Sequence, residues 1–271
     1  MQGYAIGELN ESASRCRRRI VEMVYKAQSG HPGGSLSCID ILVGLYRSAM
    51  RFDPDNPSWE DRDRFIMSKG HASPAVYSIL RDVGVLDDSD LDGFRSLGSV
   101  CQGHVDRKMT AGVDFSAGSL GMGLSFGLGS ALAARLDLSE RHTWVLLGDG
   151  ELQEGQIWEA AMAASHLEVS NLTAIIDRNR IQNDNFVDEQ MRIGDIASKF
   201  RSFGWNIIEI DGHDMNDILI ALSEAKASVE PTAIVAATVK GKGVSFMEDN
   251  PAFHGAAPND EQFALAMEEL S

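Results

Sequence analysis

Positive charge is what this sequence lacks most: 24 Lys and Arg stand against 40 Asp and Glu in 271 residues, a formal charge of −16. A chain of that sign repels phosphate backbones. Nucleic-acid binding is therefore set aside, because its footprint is a basic face that releases counterions. Long apolar runs are missing too. No stretch of about 18 apolar residues is present to cross a bilayer, and Met1 to Asn10 lacks the basic start and apolar stretch of a signal peptide. The expectation is a cytoplasmic protein with no membrane partner. Cysteine is scarce and odd in number: Cys16, Cys38 and Cys101 are widely spaced, and no C-x-x-C pair points to a zinc or redox site. Buried, idle thiols are expected. Proline numbers 7 against 26 glycines, so glycine makes most of the breaks.

What is present is a folding composition. Apolar residues make up 44% and charged residues 24%, close to the average for a folded soluble chain, which argues against wholesale disorder. The length can bury a substantial core without disulfides or structural metals. No internal repeat or low-complexity segment divides the chain, so residues 1–271 read as one domain. The charge poses a condition. If the ligand is anionic, a metal ion, a helix N-terminus or a second chain must overcome a global field of the wrong sign.

Apolar residues recur at helical spacing from Ile6 to Gln28 (Ala13, Cys16, Ile20, Met23, Val24, Ala27), and the pattern stops at Ser29-Gly30-His31-Pro32-Gly33-Gly34. A second helix is expected from about Ser35 to Met50. Four β-branched apolar runs follow, Thr143–Leu147, Leu172–Ile176, Trp205–Ile210 and Ala233–Thr238, with Phe65–Ser68 as a fifth. Strands alternating with helical stretches indicate an α/β fold with a parallel sheet covered by helices on both faces. Ligands bind such sheets beyond the carboxyl ends of the strands, which directs attention to the loops after Leu147, Asp177, Ile210 and Thr238.

One of these loops reads Gly148-Asp149-Gly150-Glu151-Leu152-Gln153-Glu154-Gly155, and the next reads Asp177-Arg178-Asn179-Arg180-Ile181. A lone G-D-G is common in turns, where Asp bonds its own backbone. The Asn thirty residues later changes the reading. A carboxylate, an amide oxygen and a backbone carbonyl form a hard, incomplete oxygen set, suited to Mg²⁺ or Ca²⁺ whose other ligands are diphosphate oxygens and water. The flanking glycines let the backbone approach an anion.

Among the seven histidines, four are singled out in glycine-rich or turn-like contexts: Gly30-His31, Gly70-His71, Gly103-His104 and His254-Gly255. Singly, each is an ordinary loop histidine. Together these loops can place several imidazoles around one small polar ligand. No H-x-x-H or H-E-x-x-H spacing supports metal ligation by them.

In these contexts the chain resembles the transketolase family, specifically its N-terminal, thiamine diphosphate-binding half. The loops around His31, His71, His104 and His254 match the family's four histidine loops in order. Gly148-Asp149-Gly150 with Asn179 resembles the thiamine diphosphate motif. Ala117-Gly118-Ser119-Leu120-Gly121-Met122-Gly123 looks like the segment whose backbone touches the diphosphate, and Lys240-Gly241-Lys242-Gly243 like the loop after a late strand. The resemblance implies that Asp149, Asn179 and the Ile181 carbonyl hold the metal. It further implies that Gly118, Ser119, Leu120, Gly148, Gly150 and Glu151 lie at the cofactor. His31, His71, His104 and His254 would surround cofactor and sugar, hydrogen bonding and moving protons. Glu154 and Glu159 match carboxylates at the subunit interface near the cofactor, although either also reads as a first-turn acid at a helix N-terminus. Arg178 departs from the family, replacing an acid often found before the metal Asn, and Ser119 stands where full-length members carry proline.

A full transketolase is more than twice this length and carries a pyrimidine-binding domain and a C-terminal domain; the sixteen residues after Gly255 leave no room for either and read as one acidic helix from Asp260 to Leu270. The resemblance thus implies half of an active site: a subunit that transfers a two-carbon ketol group from a ketose or ketose phosphate to an aldose, acting with a C-terminal-type subunit in an α₂β₂ assembly. Two alternatives stand beside it: another thiamine diphosphate-dependent carboligase of a specialised pathway, and a non-catalytic cofactor-binding scaffold. A nicotinamide-binding domain is disfavoured. Gly121-Met122-Gly123 runs on to Gly127 as G-x-G-x-x-x-G, and no clear strand precedes it.

Overall fold

The computed structural model describes residues 4–271. Ten α-helices are described: α1 (Ile6–Ala27), α2 (Pro32–Gly44), α3 (Ser73–Val83), α4 (Asp88–Asp92), α5 (Met122–Leu136), α6 (Gly155–His166), α7 (Val187–Gln190), α8 (Ile196–Ser202), α9 (Met215–Ala227) and α10 (Asp260–Glu269). The strands are β1 (Arg64–Met67), β2 (Thr143–Gly148), β3 (Leu172–Arg178), the hairpin β4 (Ile181–Gln182) and β5 (Asn185–Phe186), β6 (Asn206–Asp211) and β7 (Thr232–Ala237). Five form one parallel sheet in the order β1-β2-β3-β7-β6. Every expected strand is present, with ends shifted by one or two residues. Trp205 precedes β6 and sends its indole N–H to the Ala161 carbonyl at 2.8 Å. Thr238 leaves the ladder after β7, and its hydroxyl donates to Asp177.

The period of two along the strands feeds two cores. On β2, Trp144 and Leu146 face a layer built from α1, α2, α3, α9 and α10, whereas Val145 and Leu147 face α5, α6 and α8. Helix α2 is buried on every side, as its mostly apolar and small residues require, and its one charged residue, Asp40, is paired with Arg17. It begins with Pro32 at its first position, where a missing N–H costs nothing, and passes into a π-helical turn at Leu45–Ala49 rather than continuing regularly to Met50. Helix α5 presents glycine to the sheet. A Cβ on Gly127 would lie 2.4 Å from Val145 Cγ2, and one on Gly123 the same distance from Ser68. The stretch ahead of α5 forms no strand, so its G-x-G segment serves close helix packing. All three cysteines are buried, and burial pushes each thiol up to about 12.

Candidate active site

The carboxyl ends of β1, β2, β3 and β7 open into one cleft of about 410 Å³. Its walls include His31, His71, His104, His254, Gly118, Leu120, Gly148, Asp149, Gly150, Glu151, Glu154, Asn179 and Ile181. Thirteen of the fifteen residues singled out in the sequence therefore meet in one place. Ser119 and Glu159 are exposed and line no part of it. The loop after β6 also stays away. β6 is an edge strand, and His213 in that loop turns to Asp40 (2.7 Å) and accepts from the Val239 N–H (2.9 Å).

Each loop is held by the strand end from which it leaves. After β1, Gly70 allows the His71 loop to approach the Gly118 loop, since a Cβ there would sit 2.4 Å from Ala117 Cβ. After β2, Asp149 accepts from the N–H groups of Gly150 (2.8 Å) and Arg180 (2.5 Å). Only 3% of Asp149 is exposed, and burial together with the neighbouring Asp177 pushes its carboxyl up to about 6. Glu151 turns inward: its oxygens accept from the N–H of Gly121 (2.9 Å), the N–H of Gly148 (3.0 Å) and the Ser68 hydroxyl. That geometry ties three loops together. After β3, Asn179 donates its amide to Asp177 at 2.9 Å, and its Oδ1 accepts the Ile181 N–H at 3.1 Å.

Three imidazoles form a triangle over this floor, with centroid separations of 5.0 Å for His31–His71, 5.4 Å for His31–His254 and 5.3 Å for His71–His254. Burial, then nearby cationic groups, lowers all three, His31 to about 4 and His254 to about 3. His104 is lowered for the same reasons, with Arg95 as its neighbour. The imidazoles are thus neutral at pH 7, able to donate and accept without carrying charge.

Two lysines complete the site, and the sequence reading assigned neither of them to it. Lys240 donates to the Ile181 carbonyl (3.1 Å) and to His254 Nδ1 (2.6 Å), and burial followed by the charge of Lys69 lowers it to about 8. Lys69 donates to the Gly34 carbonyl (2.7 Å) and Asp177 (2.5 Å). Their signal lies in Ser68-Lys69-Gly70-His71 and Lys240-Gly241, lysines shortly after strands and beside glycine. Lys240 also answers the charge condition, providing a local cation within an acidic chain. Among the described residues no group of three or more His, Cys, Asp or Glu could hold a metal.

The family model for the transketolase thiamine diphosphate binding domain matches residues 9–271. One of the subunits of the apulose-4-phosphate transketolase of Phocaeicola vulgatus is 40% identical over 264 residues, 97% of this chain and 94% of that one. Likewise, one from the 6-deoxy-6-sulfo-D-fructose transketolase of a Clostridium species is 39% identical over 264 residues, 97% of this chain and 96% of that protein. The crystal structure of transketolase from Campylobacter jejuni shares 35% identity and a TM-score of 0.92, covering 98% of this chain and 43% of that one. The chain belongs to the transketolase family, as a member of its thiamine diphosphate-binding, N-terminal part.

Proposed function

We propose that this chain is the cofactor-holding subunit of a two-chain transketolase, which moves a two-carbon ketol group from a ketose to an aldose together with a C-terminal-type subunit carrying the pyrimidine domain. The observation that carries the reading is the facing of two halves across one cleft: the oxygen floor of Asp149, Asn179 and Ile181, and the neutral histidine triangle with Lys240. When bound, thiamine diphosphate supplies the electron sink for carbon–carbon cleavage.

The residues present fit that cofactor with Mg²⁺ or Ca²⁺. Asp149 is a buried carboxylate beside a second one, an arrangement that a divalent cation relieves. Nothing lies within 4 Å of a Cβ built on Gly118, leaving open backbone for a diphosphate. Gly148, Gly150 and Leu120 would frame the cofactor, with Ser119 at its outer edge. Glu151 acts by clamping the Gly121 and Gly148 loops. His31, His71, His104 and His254 would hold substrate and cofactor hydroxyl or phosphate groups. Because Lys240 only donates, His254 Nδ1 must accept, and its proton lies on Nε2.

Glu154, exposed at the mouth, and Glu159, exposed on α6, are proposed partner contacts in an α₂β₂ assembly. Residues 1–271 act as one domain, in the cytoplasm; no helix among the described residues is long and apolar enough to cross a membrane. The two subunit relatives are named for a sugar phosphate and a sulfo-sugar. A ketose with an anionic far end is accordingly proposed as donor, its charge held by the partner.

Asp149→Ala in the complex reconstituted with its partner tests the metal assignment. Loss of ketol transfer at limiting Mg²⁺ and cofactor is expected, and unchanged transfer would remove Asp149 from the site. Full activity of this chain alone would overturn the half-site reading.

A further inference from the structure

Arg95 lies outside the residues assigned above, yet it is built towards them. Its backbone is left-handed, with φ +62°, an uncommon state for a side chain-bearing residue. Its N–H donates to the Cys101 carbonyl at 2.9 Å, closing the loop between α4 and the His104 segment. Phe94, 3% exposed, packs edge-on to Tyr77 at 6.1 Å and anchors that loop in the core. The guanidinium carbon stands 5.6 Å from the Phe94 ring centroid. Gly103 makes room for it, since a Cβ there would come within 3.2 Å of Cζ.

From this slot one amino group donates to Ser29 Oγ at 2.8 Å, and the other faces His31 Nδ1 at 3.5 Å. Nε is buried and has no partner. An unmade buried hydrogen bond costs about 1–3 kcal/mol, so fold stability alone does not account for the placement. A guanidinium has donors and no acceptor. If His31 carried its proton on Nδ1, two donors and a positive charge would point at each other. The lone pair must therefore face Arg95, leaving the proton on Nε2, on the far side of the ring. That side lies against Gly255, where an added Cβ would come within 3.4 Å of Nε2, next to His254.

We propose that Arg95 is a positioning residue: locked between Ser29, Phe94 and Gly103, it holds His31 in the Nε2–H tautomer and presents that proton to the cleft as a fixed hydrogen-bond donor. Together with Lys240 acting on His254, this gives two of the three triangle imidazoles an imposed tautomer. A protonatable His31 would lose that definition. The charge of Arg95 opposes protonation, alongside burial and the facing groups His104, Lys240, His71 and His254. The use of the donor towards substrate rests on the proposed function; the tautomer does not, so the two fail separately.

The test is long-range ¹H–¹⁵N correlation of the imidazoles in the full chain labelled with ¹⁵N-histidine, with His31→Gln assigning the signal. Wild type should show an unprotonated Nδ1 and a protonated Nε2. Arg95→Met should mix or invert the tautomers and raise the His31 titration midpoint by roughly half a unit or more, while Arg95→Lys, still a donor and a cation, should keep the wild-type pattern. A wild-type proton on Nδ1 overturns the proposal, as does an Arg95→Met spectrum and titration identical to wild type. If Arg95→Met fails to fold, the Arg95→Lys spectrum decides, and an Nδ1–H form there overturns it.

Discussion

Lys69 and Asp177 form an ion pair inside the protein, Nζ to Oδ2 at 2.5 Å, with side chains 3% and 0% exposed. Burial alone would neutralise either group. Asp177 instead holds Lys69 above its ordinary range, and Lys69, with Ser37 and Thr238, holds Asp177 below the usual carboxylate range. The pair also orients a residue of the proposed metal site. An ionised carboxylate only accepts, so it turns the Asn179 amide nitrogen towards itself and leaves Oδ1 on the opposite side. Lys69→Met should therefore cost about 3–5 kcal/mol in urea unfolding, because Asp177 is left buried and unpaired. Asp177→Asn combined with Lys69→Met should cost less than the two single losses added together, and strict additivity would show that the pair is not coupled.

Asp149 should stabilise the ligand-free chain when it is neutralised. Its folded-state pKa of about 6 lies above the unfolded value. The sign follows: the cost of burying the charge is absent below the unfolded pKa, near 3.9, grows as the pH rises, and is complete above about 6. That shift corresponds to roughly 3 kcal/mol. Asp149→Asn should raise the melting temperature at pH 7.5, leave it unchanged near pH 4, and abolish any further rise on adding Mg²⁺ with thiamine diphosphate. A lower melting temperature at pH 7.5 without ligand would show that the carboxylate is already compensated in the free chain.

Lys240 predicts the alkaline side of cofactor binding. Its pKa of about 8 is depressed, so the free chain loses this cation as the pH rises through 8. A bound anion favours the charged form. Affinity for thiamine diphosphate should thus be level below pH 8 and fall up to about tenfold per unit above it until the pKa of the bound state is reached. Lys240→Met should bind more weakly at pH 7 with a flatter profile to pH 9, as read by calorimetric titration. An unaltered slope would detach Lys240 from the anion.

The parallel sheet, the buried thiols and the convergence of His31, His71, His104 and His254 were legible because each leaves a local pattern: β-branched runs between helices, isolated cysteines, and imidazoles in glycine-rich loops. Lys69, Asp177 and Arg95 were not legible, because their roles depend on partners remote in sequence. Asp177 meets Lys69 across 108 positions, and Arg95 meets His31 across 64. A lysine in a glycine loop reads as solvated until its neighbours are known. Glu151 illustrates the converse. Its place after G-D-G pointed to the cofactor, whereas its oxygens are consumed by Ser68, Gly121 and Gly148. The loop after Ile210 follows a strand end like the others, yet its His213 is engaged by Asp40 and the Val239 N–H and stays out of the cleft.

Glu154 separates a partner contact from a structural one. It stands at the N-cap of α6 in extended conformation and makes no side-chain cap bond, so truncation removes nothing that the isolated chain uses there. Its backbone matters more than its carboxylate: Gly121, at φ +81°, comes so close that an added Cβ would lie 2.6 Å from Glu154 Cβ. Glu154→Ala keeps that Cβ and should change the stability of the isolated chain by less than about 0.5 kcal/mol. Assembled with the C-terminal-type subunit, the same variant should weaken association or ketol transfer. Gly121→Ala should do the reverse, destabilising the chain before any partner is added. Should Glu154→Ala leave both kcat and the affinity for the partner at wild-type values, the carboxylate is a solvated residue at the mouth of the cleft and the interface lies elsewhere.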